Sequence, residues 1–156
     1  MYERILLTTD GSEAAKTAFD HAIDIAARRG ATLHVLYVVD TDAIAYSRGD
    51  DKIERLEGDD LEELPGLQER ARQAIETVVD RAREAGVETR PSIRGGAPYE
   101  AIPDYAEEHD IDLIVMGSHG RSGAKRMLLG SVTERILRST TIPVLVTDAR
   151  GATAGD

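Results

Sequence analysis

The chain has 156 residues, of which 41% are hydrophobic and 31% charged, and its formal net charge is −10. This length is typical of a single globular domain, and no apolar run reaches the roughly 18 residues that a membrane helix needs. Cysteine is absent, which excludes disulfides, thiolate nucleophiles and thiolate metal sites, and the net negative charge disfavours binding to nucleic acid or to an anionic membrane.

The first half of the chain alternates between strand-like and helix-like apolar patterns. Residues 5–9 predict a buried strand, and residues 12–29 predict an amphipathic helix with Ser12 as its N-cap and Gly30 as its stop. Residues 33–39 predict a second strand. A second helix follows before Gly86 and carries apolar residues at helical spacing, namely Leu67, Ala71, Ile75, Val78 and Ala82.

The second half continues the same alternation. Residues 87–93 predict a third strand, which Pro91 weakens or pushes to the edge of the sheet. A short third helix follows Pro98, and its inward-facing residues are Ile102, Tyr105 and Ala106. A strand, a helix and a strand complete the pattern at 111–116, 131–138 and 143–147.

Five apolar strands separated by four amphipathic helices predict one doubly wound α/β domain with a mostly parallel five-stranded sheet covered on both faces. The domain is predicted to span residues 1–148, with 149–156 as a flexible tail. Ligands of such sheets bind beyond the carboxyl ends of the strands, where the winding direction reverses. The loops after strands one, two and four are therefore the candidate binding loops.

Acidic residues dominate the surface charge, with 29 acidic against 19 basic residues, of which only three are lysines. This composition is compatible with a salt-adapted cytosol, which we treat as a hypothesis. Much of the acidity lies in 41–64, which is longer than a usual connection and is interpreted as a solvated loop, with a lid or a partner-binding element as the alternative. Residues 1–4 lead directly into an apolar run without the features of a secretory signal, which predicts a cytoplasmic location.

A glycine-rich loop follows the fourth strand. Gly117 and Gly120 allow the backbone to bring its N–H groups close to a bound group, while Gly130 and Ser131 begin a helix whose first amides have no intrahelical partners. The loop also carries three cations and no acid, namely Arg121, Lys125 and Arg126. The pattern indicates an anion site suited to a phosphate chain. The alternative is structural: the glycines close a turn, Ser131 caps a helix and the cations offset acidic neighbours.

The spacing G-x2-G-x9-G-[ST] of this loop resembles the nucleotide signature of the universal stress protein family. It is neither a Walker A loop nor the dinucleotide G-x-G-x-x-G pattern. Three further stretches are similar to that family: Thr8-Thr9-Asp10-Gly11-Ser12, Val38-Val39-Asp40 and Ile142-Pro143-Val144-Leu145-Val146. The resemblance covers essentially the whole chain. It implies a Rossmann-like fold of the adenine nucleotide alpha hydrolase-like type that binds ATP, with Mg2+.

The resemblance also implies roles for individual residues. Asp10 would accept hydrogen bonds from the ribose hydroxyls, Val38 would meet adenine through its backbone, and Thr9 would line the site. The phosphates would be held by Gly117, Gly120, Gly130 and Ser131, with Val132 and Thr133 continuing the row of amides. A carboxylate repels phosphate but suits a sugar hydroxyl or a Mg2+ ion, which agrees with this role for Asp10. The alternative is that Asp10 only forms the turn between strand and helix.

The function that the resemblance implies is a nucleotide-dependent regulator of a stress response. A slow Mg-dependent ATPase is one alternative, with His119, Ser131 or Thr133 as weak candidates to orient water and no residue assigned as catalytic. A dimeric interaction protein without a ligand is the other. The four histidines do not form a recognisable metal spacing. The resemblance further implies a homodimer in which the last strand, 143–147, pairs with the partner's copy.

Overall fold

The computed structural model describes residues 1–40, 65–118 and 130–148. The acidic segment 41–64 and the tail 149–156 lie outside the described residues, so their interpretations stay predictions. The described part contains five strands and four helices in the predicted alternating order. In chain order these are β1 Arg4–Thr9, α1 Glu13–Arg29, β2 Thr32–Asp40, α2 Pro65–Glu84, β3 Thr89–Gly96, α3 Pro98–Glu108, β4 Leu113–Gly117, α4 Ser131–Ser139 and β5 Val144–Thr147.

The five strands form one parallel sheet in the order β3-β2-β1-β4-β5. The chain winds outward from β1 to β3 and then crosses back to β4, so the winding direction reverses between β1 and β4. This confirms the predicted doubly wound α/β fold. Pro91 lies in the edge strand β3, where its missing N–H removes no interior hydrogen bond.

Helices cover both faces of the sheet, which explains why the strands are almost continuously apolar. Ile5 and Leu7 of β1 pack with α1 and α2 on one face, whereas Leu6 between them packs with α3 and α4 on the other. All three are fully buried. Successive side chains of a strand point to opposite faces, so a sheet covered on both sides needs apolar residues at every position. The three inward-facing residues predicted for α3 are all buried, which confirms that helix.

Local signals set both ends of α1 as predicted. The Oγ of Ser12 accepts a hydrogen bond from the Ala15 amide at 3.1 Å, and Gly30 ends α1 with a left-handed φ of 65°. Strand three departs from the prediction, because it begins at Thr89 and continues to Gly96 instead of covering 87–93. Its last residues pair with the end of β2. In the described ranges, no helix is long and apolar enough to cross a membrane.

Candidate functional site

The predicted site residues lie at the carboxyl edge of the sheet, on either side of the reversal in winding. Asp10 follows the last residue of β1, and Gly117 is the last residue of β4. The two strands are direct neighbours, with Leu7 opposite Val115. The topology therefore brings together two segments that are more than 100 residues apart in the sequence, at the place where this type of sheet binds ligands.

The turn from β1 into α1 is closed by its own side chains. The Ser12 amide donates to Asp10 Oδ1 at 2.9 Å, and the Gly11 amide donates to Thr9 Oγ1 at 3.1 Å. Gly11 has a φ of 80°, which a side chain would disfavour. Asp10 thus forms the Asx turn that the structural alternative described. A carboxylate has several lone pairs, so this bond holds the side chain at the strand end and leaves a ligand role compatible with it.

The start of α4 presents consecutive backbone amides. Glu134 is the first residue of this helix whose amide donates to the preceding turn, at 3.0 Å from Gly130 O. The amides of Ser131, Val132 and Thr133 precede it, and they have no acceptor among the described residues. Gly130 occupies the N-cap position without a side-chain bond, so the alternative in which Ser131 caps the helix is wrong. Unpartnered amides and the positive end of the helix dipole both favour a bound anion.

Thr133 connects this helix to the end of β4. The residue is 2% exposed, and its Oγ1 donates to Gly117 O at 3.0 Å. The side chain of Val132 packs against the apolar cluster beneath α3 and α4. These two side chains anchor the first turn of α4, so the amides of the same residues are held at a fixed place beside the strand end.

A second set of contacts, which the sequence analysis missed, fixes the start of the glycine-rich loop. The Ser118 amide donates to Thr147 O at 2.6 Å, and the Gly130 amide donates to Ser118 O at 2.7 Å. The hydroxyl of Thr147 lies 2.8 Å from the hydroxyl of Thr17 in α1. The only signal in the sequence is a threonine at the end of the last predicted strand. These bonds hold both ends of the loop against β5 and α1.

Val38 lies where the sheet edge forms a step. Pairing between β1 and β2 ends at Thr9 opposite Tyr37, whereas pairing between β2 and β3 continues to Asp40 opposite Gly96. The backbone of β2 from Val38 onward therefore extends beyond the end of β1. The Val38 side chain packs against the cluster beneath α3 and α4, so its backbone is the part of this residue that can serve a ligand at the edge.

A cleft of about 250 Å³ borders the same edge on the face covered by α1 and α2. It is lined by Gly11 of the β1–α1 turn, by Lys16 and Phe19 of α1, and by Arg70 and Gln73 of α2. Two cations thus lie near the turn that carries Asp10. Gly120, His119 and the three cations of the loop lie outside the described residues, and their roles stay predictions.

The sequence as a whole matches a known family. The model of the universal stress protein family covers residues 1–148. The chain is 36% identical over 146 residues to universal stress protein MJ0531 of Methanocaldococcus jannaschii, which spans 94% of this chain and 82% of the relative. It is 32% identical over 153 residues to universal stress protein MJ0577 of the same organism, covering 94% of both chains.

Solved structures agree with the sequence matches. The structure of MJ0577 superposes with a TM-score of 0.79 over 95% of this chain and 96% of that one. A universal stress protein in complex with cAMP superposes with a TM-score of 0.65 at 27% identity, over 95% of this chain and 98% of that one. The sequence match over nearly the full chain, together with the shared fold, shows that this chain belongs to the universal stress protein family.

Proposed function

We propose that this protein binds ATP, with Mg2+, at the carboxyl edge of its sheet, and that it acts in the cytoplasm as a nucleotide-dependent regulator of a stress response. One observation carries the proposal: the amides of Ser131, Val132 and Thr133 have no acceptor in the described part and begin α4 at the edge where Asp10 follows β1. The related structure with cAMP supports it, because that protein binds an adenine nucleotide.

Each end of the nucleotide has a matching group along this edge. The amides of α4 suit the phosphates, and Gly117 at the end of β4 lets the backbone approach them closely, a role that the sequence predicts for Gly120 as well. Asp10 suits the ribose, because a carboxylate accepts from hydroxyls and repels phosphate. From Val38 onward, the backbone of β2 extends beyond the end of β1, so its N–H and C=O groups suit the polar edge of adenine. The order adenine, ribose, phosphate then follows the strand order β2, β1, β4.

The donor set fits a Mg2+ ion that arrives with the nucleotide. The described residues contain no group of three His, Asp or Glu side chains that could hold a metal by themselves. Protein-bound Mg2+ commonly takes one or two carboxylates together with substrate phosphates and waters. Asp10 supplies one carboxylate at the site, and the phosphates would supply the remaining charged ligands.

Calorimetric titration with Mg-ATP tests the proposal. The Asp10→Asn variant keeps an oxygen for the Asx turn and loses the charge, so we expect it to fold and to bind ATP about tenfold more weakly, as hydrogen bonds to a charged group are stronger. Asp24→Asn is the matched control, because Asp24 forms an exposed ion pair with Arg28 on α1. The proposal fails if the unaltered protein gives no heat and no rise in melting temperature with millimolar Mg-ATP.

We further propose that two copies associate through β5. This strand lies at the sheet edge and pairs only with β4 in the described part, and its residues Val144, Leu145 and Val146 are partly exposed. Apolar edge strands with unpaired backbone groups favour pairing with another chain. Light scattering at micromolar concentration should give twice the 16.9 kDa chain mass.

Two variants on opposite edge strands of the sheet distinguish pairing through β5 from nonspecific association. Val146→Lys should shift the protein to the monomer mass, because a lysine on an edge strand disfavours strand pairing. Ile93→Lys alters the other edge strand, where Ile93 is 37% exposed, and should leave the dimer intact. A monomeric unaltered protein contradicts the proposal, as does equal dissociation of both variants.

A further inference from the structure

Helix α4 carries an exposed positive charge, Arg135, that makes no ion pair with an acidic residue of the described part. Arg135 is the fifth residue of this nine-residue helix and is exposed. Cations are favoured in the last turn of a helix, where they complement the dipole, so one at the middle position of the helix gains little from it. Glu134 and Arg138 pair with each other at 2.7 Å. Arg135 has no acidic partner among the residues that the structure describes.

Tyr99 determines where this charge is held. The guanidinium carbon of Arg135 lies 4.1 Å from the centroid of the Tyr99 ring. Tyr99 is the second residue of α3, and each helix that follows a strand of this parallel sheet begins at the carboxyl edge. The aromatic ring therefore holds the guanidinium at the level of that edge. Side chains of a helix lean toward its N-terminus, which agrees with this placement.

The face of α4 that carries Arg135 begins at Ser131, whose amide is one of the first of the helix. Ser131 and Arg135 are four residues apart, so they lie one above the other on the helix surface. A phosphate chain bound at the amides of Ser131 and Val132 would thus extend toward a cation that has no acidic partner in the described part. The planar fork of a guanidinium matches the oxygens of a phosphate better than an ammonium does.

We propose that Arg135, held in place by Tyr99, contacts the terminal phosphates of the bound nucleotide and makes the site prefer nucleoside triphosphates to monophosphates. This inference rests on the proposed function, since it assigns a specificity residue to the same site. The amides of α4 serve the phosphate at the helix start, which every adenine nucleotide possesses. Arg135 serves the additional negative charge that only the longer phosphate chain brings.

The test compares ATP and AMP binding by calorimetry, with Mg2+ present, in the full chain and its variants. Arg135→Gln should weaken ATP binding about tenfold and change AMP binding by less than about twofold, since one charge-assisted contact is lost with ATP alone. Arg138→Gln is the matched control, because it removes the same charge from the same helix, and it should leave both affinities unchanged. Tyr99→Leu should weaken ATP binding several-fold by releasing the guanidinium.

The outcomes distinguish this inference from the proposed function. If the unaltered protein binds ATP and Asp10→Asn weakens that binding, while Arg135→Gln and Arg138→Gln behave alike, the role of Arg135 is wrong and the site stands. Equal losses of ATP and AMP affinity in Arg135→Gln also overturn it, because they indicate a change in packing. If the unaltered protein binds neither nucleotide, the proposed function fails and this inference fails with it.

Discussion

Burial determines the charge of His34, a polar residue in the middle of the apolar sheet. Its side chain is 4% exposed, and its Nδ1 lies 2.7 Å from the hydroxyl of Tyr105. Burial is the main cause that lowers the pKa of His34 from 6.5 to about 4, and electrostatic interactions with His109, Arg90 and Arg4 contribute to the same shift. His34 is therefore neutral at pH 7 and pairs with Tyr105 as a neutral group.

The neighbours of Tyr105 extend this contact to the surface. The ring of Tyr105 stacks on the ring of His109 with centroids 4.0 Å apart. The guanidinium carbon of Arg94 lies 4.8 Å from the centroid of the Tyr105 ring. Arg94 in turn pairs with Glu108 at 2.6 Å, and this hydrogen bond lowers the pKa of the Glu108 carboxyl. The chain of contacts ties α3 to β2 and β3. Two of the four histidines thus serve packing, which their sequence positions alone do not indicate.

We expect the free energy of unfolding to fall as the pH is lowered from about 6.5 to about 4. In this window the unfolded chain protonates His34 and the folded chain does not, so protons favour unfolding by up to about 3 kcal/mol. Below about pH 4 both states are protonated and this contribution levels off. Urea unfolding between pH 7 and pH 4.5 measures the effect, and the lowered pKa of Glu108 contributes only near the lower end of this range, because its stabilisation is lost as the pH falls through the usual pKa of 4.5.

Two histidine variants isolate the contribution of this residue. His34→Gln removes the titrating ring, so its unfolding free energy should change less over the same pH range, although the variant is less stable at pH 7. His21→Gln alters an exposed histidine of α1 and should keep the pH dependence of the unaltered protein. The assignment is wrong if all three proteins lose the same free energy between pH 7 and pH 4.5.

Among the elements, sequence patterns predicted best those whose signals are local. Both caps of α1 could be predicted because Ser12 and Gly30 act on amides within a few residues. Strand β3 was placed too early because Gly95 and Gly96 have low strand propensity and indicate a turn. In the structure they pair with Val39 and Asp40 of β2. Pairing with a neighbouring strand outweighed the local preference, and no local signal carries that information.

The same distinction applies to the candidate site. Asp10 and Gly117 could be predicted because each stands at the end of an apolar strand, and parallel strands end at one edge. The hydrogen bond between Thr133 and Gly117 and the contact between Arg135 and Tyr99 could not be predicted from the sequence, because each depends on how α4 packs. The sequence indicated the groups that we propose as ligand contacts, and tertiary packing determines what holds them in place.

For the whole molecule, the surplus of acidic residues matters more than individual ion pairs. The pair between Arg28 and Asp24 is typical, with side chains that are 77% and 59% exposed. Exposed pairs of this kind add between 0 and about 1 kcal/mol each. A net charge of −10 on a 16.9 kDa chain produces repulsion that folding increases, because the compact state brings the charges closer together.

We therefore expect the melting temperature to rise by several degrees between ~0.02 M and ~1 M sodium chloride. Most of the rise should occur below ~0.3 M, since the Debye length is already about 10 Å at 0.1 M.

Replacing Glu84 and Glu107 by glutamine reduces the net charge to −8 and removes acids from the last turns of α2 and α3, where the helix dipole disfavours them. Scanning calorimetry should show a higher melting temperature for this variant at low salt and a smaller increase with salt. If the melting temperature of the unaltered protein stays constant with salt, charge repulsion does not limit its stability, and the result counts against salt adaptation. If salt raises the melting temperature of the variant as much as that of the unaltered protein, the effect comes from solvent exclusion and not from screening.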